Sequence, residues 1–303
     1  MKVIINGLPL FSARLAADLK TVAPIDTIRF HDTYNSYAAR IKFALDCRNA
    51  DVFISMNGVS DSSGSLDLVI KKRIPMMMLW MGTDVSLALD RHHSGNINLT
   101  YIKYARHFTD SPLLKAELAI LGINAEILHF KWINAFSSQN HPFNSLSAYT
   151  YFAQGKELYY GWNQVRELAE AFPEIPFKVV GSNGIGVLDF PINVEFLGWL
   201  NNEEMTRLRN ETPIFLRLPM HDGFSMSVLE AMGAGCEVIW NQELRGCHLY
   251  NTSTPIEQFS SILTALKQRN LARNTQNIEY IASHFEKQHI LNNFFLRLKS
   301  LVK

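Results

Sequence analysis

Neither sign of charge is in excess in this chain: 29 Lys and Arg face 28 Asp and Glu, a formal net charge of +1. A nucleic-acid-binding domain shows a clear basic surplus, so the bulk charge argues against that class while leaving room for a small positive pocket. Cysteine is scarce as well. Cys47, Cys236 and Cys247 are odd in number and form no CxxC pair, which argues against a disulfide framework or a thiolate zinc site and makes a reducing cytoplasm the expected setting. Long apolar runs are missing: no stretch approaches the ~18 residues of a membrane span. The first run, Val3-Ile4-Ile5, stops at Asn6-Gly7, and Arg14, Asp18 and Lys20 follow. A strand, a turn and a helix are expected there rather than a secretory leader. No repeat of solenoid length is present.

What the chain does have is alternation. Its 303 residues, 47% of them hydrophobic, suit two domains of about 150 residues, each able to bury a core. Short apolar runs of strand length (2–7, 26–30, 51–56, 75–82, 107–111, 125–130) are separated by helical patterns, with 83–99 reading as a loop. A polar stretch with Pro142, residues 134–146, reads as a linker. The alternation then restarts (147–153, 177–181, 193–198, 213–218, 236–240), and the chain ends in helical patterns over 256–270 and 275–298. Such alternation predicts parallel sheets. The fold expected is α/β: two doubly wound, Rossmann-like parallel-sheet domains facing a cleft. The expected boundaries are 1–140, 141–283 and a C-terminal helix over 284–303. Ligands of open parallel sheets lie beyond the carboxyl ends of strands, here Gly7, Asn57, Gly82, Asp110, Gly155, Gly181, Gly198 and the segment 218–223.

The most informative segment is "PMHDGFSMSVLEAMG", residues 219–233. It reads as a strand exit, a glycine turn and a helix that is apolar apart from two serines and Glu230. The unpaired amides of the first helical turn, near Phe224, Ser225, Met226 and Ser227, make an anion site suited to phosphate. Glu230, one to two turns in, can accept hydrogen bonds from a diol such as ribose. Asp222, across Gly223, can hold sugar hydroxyls.

In these residues the chain resembles the retaining, nucleotide-sugar-dependent glycosyltransferases of GT-B fold, the "glycosyl transferases group 1" family with its E-x7-E motif. Asp222 and Glu230 stand at the two acidic positions. "NVEFLGWLNNEEM" and "FKVVGSNG" match further stretches of the same domain, and "WMGTDV" resembles a strand end of the other. The resemblance implies sugar transfer from a UDP- or GDP-linked donor to an acceptor hydroxyl, with no metal and no further cofactor. Glu230 would hold ribose, Asp222 the transferred sugar, and Gly223, Phe224, Ser225 and Met226 the sugar and diphosphate. Trp199 and Leu200 would lie near the base, and Gly7 and Gly181 would let the backbone approach the ligand. The last helix would return to the N-terminal domain, whose acceptor is a glycan, a lipid-linked sugar or a small molecule.

This sequence departs from the family pattern in four places. The lysine of the usual cation pair is replaced by Tyr160, leaving Lys156 and Arg217 to balance the diphosphate. Asp222 replaces a glutamate. Met81-Gly82-Thr83-Asp84 stands where a histidine is common, so that Asp84 either orients the acceptor or caps a helix. The first loop has only Gly7. Plainer readings stay open beside these. Glu230 caps or pairs with an arginine such as Arg245, Lys156 is a solvated lysine, and Arg217 makes a structural ion pair. His92-His93 is an exposed polar-loop pair beside the alternative of metal ligands or a base, and Lys71-Lys72-Arg73 is a solvated helix end or a contact to anionic lipid. Two other functional classes also remain: a degenerate protein of this fold that binds nucleotide or glycan beside an active enzyme, and a nucleotide-sugar epimerase.

Overall fold

The computed structural model describes residues 1–22, 25–133 and 141–302. Most of the expected linker, 134–140, lies outside them. The chain divides into two compact units. One comprises Met1–Trp132, Asp222–Phe224 and Lys287–Lys303, and the other Ile133–His221 and Ser225–Glu286.

The first unit alternates β1 (Lys2–Gly7), α1 (Pro9–Val22), β2 (Thr27–His31), α2 (Tyr37–Asp46), β3 (Val52–Met56), α3 (Gly64–Lys71), β4 (Met76–Trp80), α4 (Thr83–His93), α5 (Leu99–Tyr104), β5 (Arg106–Thr109), α6 (Pro112–Ile120) and β6 (Glu126–Ile127). All strand pairs are parallel, in the order β2-β1-β3-β4-β5-β6. β3 and β4 are buried throughout, which is why "VFISM" and "MMMLW" are continuous rather than alternating apolar runs. Helix starts follow local chemistry. The hydroxyls of Ser36, Ser63 and Ser111 accept the amides of Ala39, Leu66 and Leu114, and Pro112 fills the first turn of α6, where no amide is needed.

The second unit runs β7 (Ala148–Tyr151), α7 (Trp162–Ala171), β8 (Phe177–Val180), β9 (Val194–Gly198), α8 (Asn202–Glu211), β10 (Ile214–Arg217), α9 (Met226–Gly233), β11 (Glu237–Trp240), β12 (His248–Leu249), α10 (Pro255–Gln268) and α11 (Thr275–His284). Its parallel sheet has the order β12-β11-β10-β7-β8-β9. The order reverses between β7 and β10, the crevice that the doubly wound fold offers to a ligand. The last helix, α12 (Lys287–Lys299), belongs to the first unit and packs on α1. Lys287 Nζ meets Asp18 Oδ1 at 2.6 Å.

Three elements differ from expectation. Residues 83–93, read as loop, form α4. The helix is polar, buries only Val85 and Ala88, and starts at Gly82, which has no side chain to cap it, so it lacks the usual start signal. His92 and His93 are exposed in its last turn. The helical pattern over 275–298 is two helices. Ile133 bridges to Glu286 and donates its amide to the Phe285 carbonyl at 3.0 Å, drawing 285–286 out of helical pairing. β12 has only two residues, too short for a pattern.

Candidate functional site

The crevice of the second unit is built by three loops. Gly161 brings the loop after β7 against the loop after β10. Its φ is +97°, and a Cβ there would stand 2.5 Å from the Leu218 carbonyl oxygen. The Met220 amide donates to the Tyr159 carbonyl at 2.8 Å, and the Tyr159 hydroxyl to the His221 carbonyl at 2.8 Å. The loop after β8 is tied in by Glu157, whose Oε1 accepts from the Ser182 hydroxyl at 2.5 Å and from the Gly155 amide at 3.0 Å. Burial pushes the Glu157 carboxyl up, but the Ser182 hydroxyl and backbone amides outweigh it, and the net shift is downward. Gly181, at φ +85°, would place a Cβ 2.5 Å from the Phe152 carbonyl oxygen. That glycine is required by close packing of neighbouring strand ends.

Arg217, the last residue of β10, is buried at this edge. Its guanidinium lies 5.1 Å from the Tyr160 ring and 5.9 Å from the Tyr151 ring. Tyr160, read from the sequence as standing at a family lysine position, has a cation over its ring from the neighbouring strand. Lys156 is exposed in the loop after β7. Ser225, the N-cap of α9, does not cap. Its hydroxyl faces that of Ser227 at 2.9 Å, and among the described residues no side chain caps the first-turn amides from Met226 onward. Those amides and the helix dipole are left to attract an anion.

Glu230 lies in α9 with its side chain about one-third exposed, and Arg209 Nη1 meets its Oε2 at 3.1 Å. The arginine foreseen as its structural alternative, Arg245, instead lies over the Tyr280 ring at 5.7 Å. Arg209, buried in α8, also donates to Thr206 Oγ1 at 3.2 Å. It went unnoticed in the sequence because it sits among the charges of "NNEEMTRLRNE", and only the fold turns it inward. Trp199 is 80% exposed and Leu200 half-buried, both at the end of edge strand β9, two strands away from β7.

The remaining candidates belong to the first unit. Gly223 packs on the end of β4: a Cβ there would meet the Met81 carbonyl oxygen at 2.1 Å, and one on Gly82 (φ +146°) would lie 3.2 Å from the Gly223 nitrogen. Phe224 is buried, its carbonyl accepts from Lys131 Nζ, and its ring centroid is 5.3 Å from that of His129. Lys131 Nζ also lies 3.1 Å from Asp110 Oδ2, both side chains being buried. Burial pushes Asp110 up to about 6. Lys131 pulls the other way, and the charge of the half-buried Asp222 adds to the rise. Lys131 carried no motif that could have marked it.

Asp84 holds its own turn. Its carboxylate accepts from the amides of Gly58 (2.5 Å), Gly82 (2.8 Å), Met81 (3.0 Å) and Val85 (3.0 Å). Burial nevertheless pushes the carboxyl above its ordinary value. With its oxygens given to four amides it replaces the cap that Gly82 lacks, and the geometry favours that reading over orientation of an acceptor. Gly7, at φ +122°, would put a Cβ 2.6 Å from Asn57 Oδ1. The space before it is filled by the end of β3. Among the described residues no cluster of His, Cys, Asp or Glu could hold a metal ion, and no helix is long and apolar enough to cross a membrane.

A family model described as "Glycosyl transferase-like" matches residues 162–294. No curated protein matches the chain in sequence. Among solved structures, the chain is similar to Anabaena HepE in complex with UDP-glucose, at 12% identity and a TM-score of 0.69 over 99% of this chain and 100% of that one. It is similar to an alpha-glucosyltransferase in complex with UDP and a 13-mer DNA containing a HMU base, at 13% identity and a TM-score of 0.62 over the whole of both chains. It also resembles the pneumococcal O-GlcNAc transferase GtfA in complex with UDP and GlcNAc, at 14% identity and a TM-score of 0.59, covering 87% of this chain and spanning 59% of that protein's length. Two Rossmann-like parallel sheets of six strands, with a glycosyl transferase-like segment over 162–294, give this chain the α/β fold of the GT-B glycosyltransferases.

Proposed function

We propose that the protein transfers a sugar from a nucleoside diphosphate to an acceptor hydroxyl with retention of anomeric configuration. The observation that carries this reading is α9. Its first-turn amides lack a side-chain cap, and Glu230 lies one turn further along with a partly exposed carboxylate oriented by Arg209. The first feature suits a diphosphate and the second a ribose diol. The UDP and UDP-glucose in the complexes of similar fold support a uridine donor.

In this reading the nucleoside diphosphate is held on the second unit. The α9 amides donate to the diphosphate, and Arg217 and Lys156 offset the negative charge that builds up on the leaving group. Glu230 accepts two ribose hydroxyls, Trp199 and Leu200 flank the base, and Gly181 keeps the adjoining turn tight. Asp222 binds hydroxyls of the transferred sugar. Retention is supported by the resemblance of the Asp222-x7-Glu230 spacing to the motif of retaining enzymes. A same-face displacement has the departing phosphate oxygen accept the acceptor proton, so no side-chain base is required. That fits an Asp84 whose carboxylate is taken up by amides. The acceptor, a glycan, a lipid-linked sugar or a small molecule, is assigned to the first unit, and the reaction to the cytoplasm without a metal.

Melting curves with UDP, GDP, ADP and CMP, for the natural chain and Glu230→Ala, test the donor site. A ligand at 100 times its dissociation constant adds about 2.7 kcal/mol. One nucleotide should raise the melting temperature of the natural chain and not of the variant. A flat response to all four would sink the donor site and turn attention to a non-catalytic role. Proton NMR of the anomeric signal, following hydrolysis or transfer of the matching sugar nucleotide, reads the configuration directly.

A further inference from the structure

Helix α2 is built the wrong way round for a surface helix. Successive residues turn by about 100°, so Tyr37, Ile41 and Leu45, spaced by four, form one line along it. That line points to solvent: the three residues are 76%, 51% and 50% exposed. The buried face consists only of Phe43, followed by Cys47 just past the helix end. A surface helix normally presents charge outward. Here the outward stripe is aromatic and aliphatic, and the charges stand at its borders. Arg40 lies on one side and Lys42 on the other, and Arg48 follows the last turn, all exposed.

Cations outnumber acids around this face, although Asp32, Asp51 and, on α3, the exposed Asp67 keep their charge. The acid on the helix, Asp46, is taken by Arg29 at 2.6 Å and His31 at 3.0 Å. Of the neighbouring acids, Asp32 accepts from the backbone and side chain of Asn35, and Asp51 from the Lys2 amide. Helix α3 packs against α2 and ends in Lys71, Lys72 and Arg73, all exposed. Lys72 is near enough that its charge opposes the burial which pushes Cys47 up to about 12. Lys42, Arg48, Lys71, Lys72 and Arg73 enter no ion pair among the described residues. An apolar stripe framed by unpaired cations matches the two layers of an anionic lipid surface, acyl chains in the middle and headgroups at the edges. An acidic protein would need an apolar patch of its own to cover the stripe, whereas an anionic bilayer supplies both layers in one surface.

We propose that the face formed by α2 and the end of α3 docks on an anionic lipid bilayer, with Tyr37, Ile41 and Leu45 entering the headgroup boundary and Lys42, Arg48, Lys71, Lys72 and Arg73 meeting lipid phosphates. The proposal is independent of the reaction proposed above, and binding alone tests it.

The experiment is co-sedimentation of the full chain with vesicles of phosphatidylcholine alone or mixed with phosphatidylglycerol, at low and high salt. The chain should pellet with the mixed vesicles, weakly or not at all with the neutral ones, and less at high salt. Each cation near an anionic surface is worth roughly fivefold in partitioning. The triple variant Lys71→Gln, Lys72→Gln, Arg73→Gln should therefore lose on the order of a hundredfold. The stripe variant Tyr37→Ser, Ile41→Ser, Leu45→Ser should lose binding with its melting temperature kept. If that variant unfolds, the lysine and arginine variant decides alone. No pelleting with anionic vesicles at low salt, or undiminished pelleting of the folded variants, overturns the proposal. So does self-association that the stripe variant abolishes without any vesicle binding, which would assign the face to a second copy of the chain.

Discussion

Arg209 Nη1 lies 3.1 Å from Glu230 Oε2, and the guanidinium is almost wholly buried while the carboxylate keeps about one-third of its surface in solvent. The arginine fixes the acid from behind and leaves it usable from the front. Arg209→Met should cost about 1–3 kcal/mol in urea unfolding, since the pair is only partly buried. It should also weaken nucleotide affinity several-fold by releasing the carboxylate from its orientation. Glu230→Gln should keep the fold, lose part of the Arg209 contact and reduce affinity without changing which nucleotide binds. Calorimetric titration with the stabilising nucleotide checks both.

The two cations of the proposed phosphate site should not be equivalent. Arg217 is buried and set against Tyr160 and Tyr151, whereas Lys156 is exposed. A preorganised guanidinium contributes more to phosphate binding than a mobile ammonium. Arg217→Leu is expected to lower nucleotide affinity about tenfold or more, and Lys156→Gln only a few-fold. Equal losses would place the diphosphate nearer Lys156.

Gly223 leaves no room for a side chain. A Cβ would fall 2.1 Å from the Met81 carbonyl oxygen, which is backbone and cannot swing aside. Gly223→Ala should destabilise the fold by about 2–4 kcal/mol and displace Asp222. Gly122→Ala is a useful contrast: no atom lies within 4 Å of its built Cβ, but its φ is +71°, so only about 1 kcal/mol of backbone strain is expected. Urea midpoints of the two variants give the comparison.

Asp110 makes stability depend on pH with a defined sign. Its carboxyl is raised by burial from 3.8 to about 6. Between those values the folded chain holds a proton that the unfolded chain has released, so this group's contribution falls as pH rises through the window. Below it both states are protonated and nothing is lost. Asp110→Asn should flatten that slope. Lys131→Met removes the opposing charge and should extend the loss to higher pH. Unfolding free energies measured between pH 4 and pH 7 would show both effects, and an unchanged slope in Asp110→Asn would exclude this carboxyl as the source.

The strand pattern was readable because parallel strands buried on both faces write themselves as unbroken apolar runs, as in "VFISM" and "MMMLW". The segment 219–233 was readable because a glycine turn followed by an apolar helix with one acid is an unusual combination. Most of what escaped depends on partners distant in sequence; the start of α4 is a local exception. The start of α4 hides because Asp84 caps it from inside the helix. Arg209 hides because its partner Glu230 is 21 residues away in the sequence, and Lys131 because its partners Asp110 and Phe224 are 21 and 93 residues away. The break between α11 and α12 is imposed by Ile133, more than a hundred residues earlier.

The first unit takes residues from three separate stretches of chain, among them 222–224 and the helix that carries Lys287. A gene cut after residue 132 would therefore not yield a complete half. The shortened product would lack the chain that buries the outer side of α1, would leave Asp18 without its lysine, and would present an uncovered apolar face. Such a fragment is expected to aggregate, and adding back the remainder of the chain as a second polypeptide should rescue it. Dissection of this protein by truncation will thus report on assembly before it reports on binding.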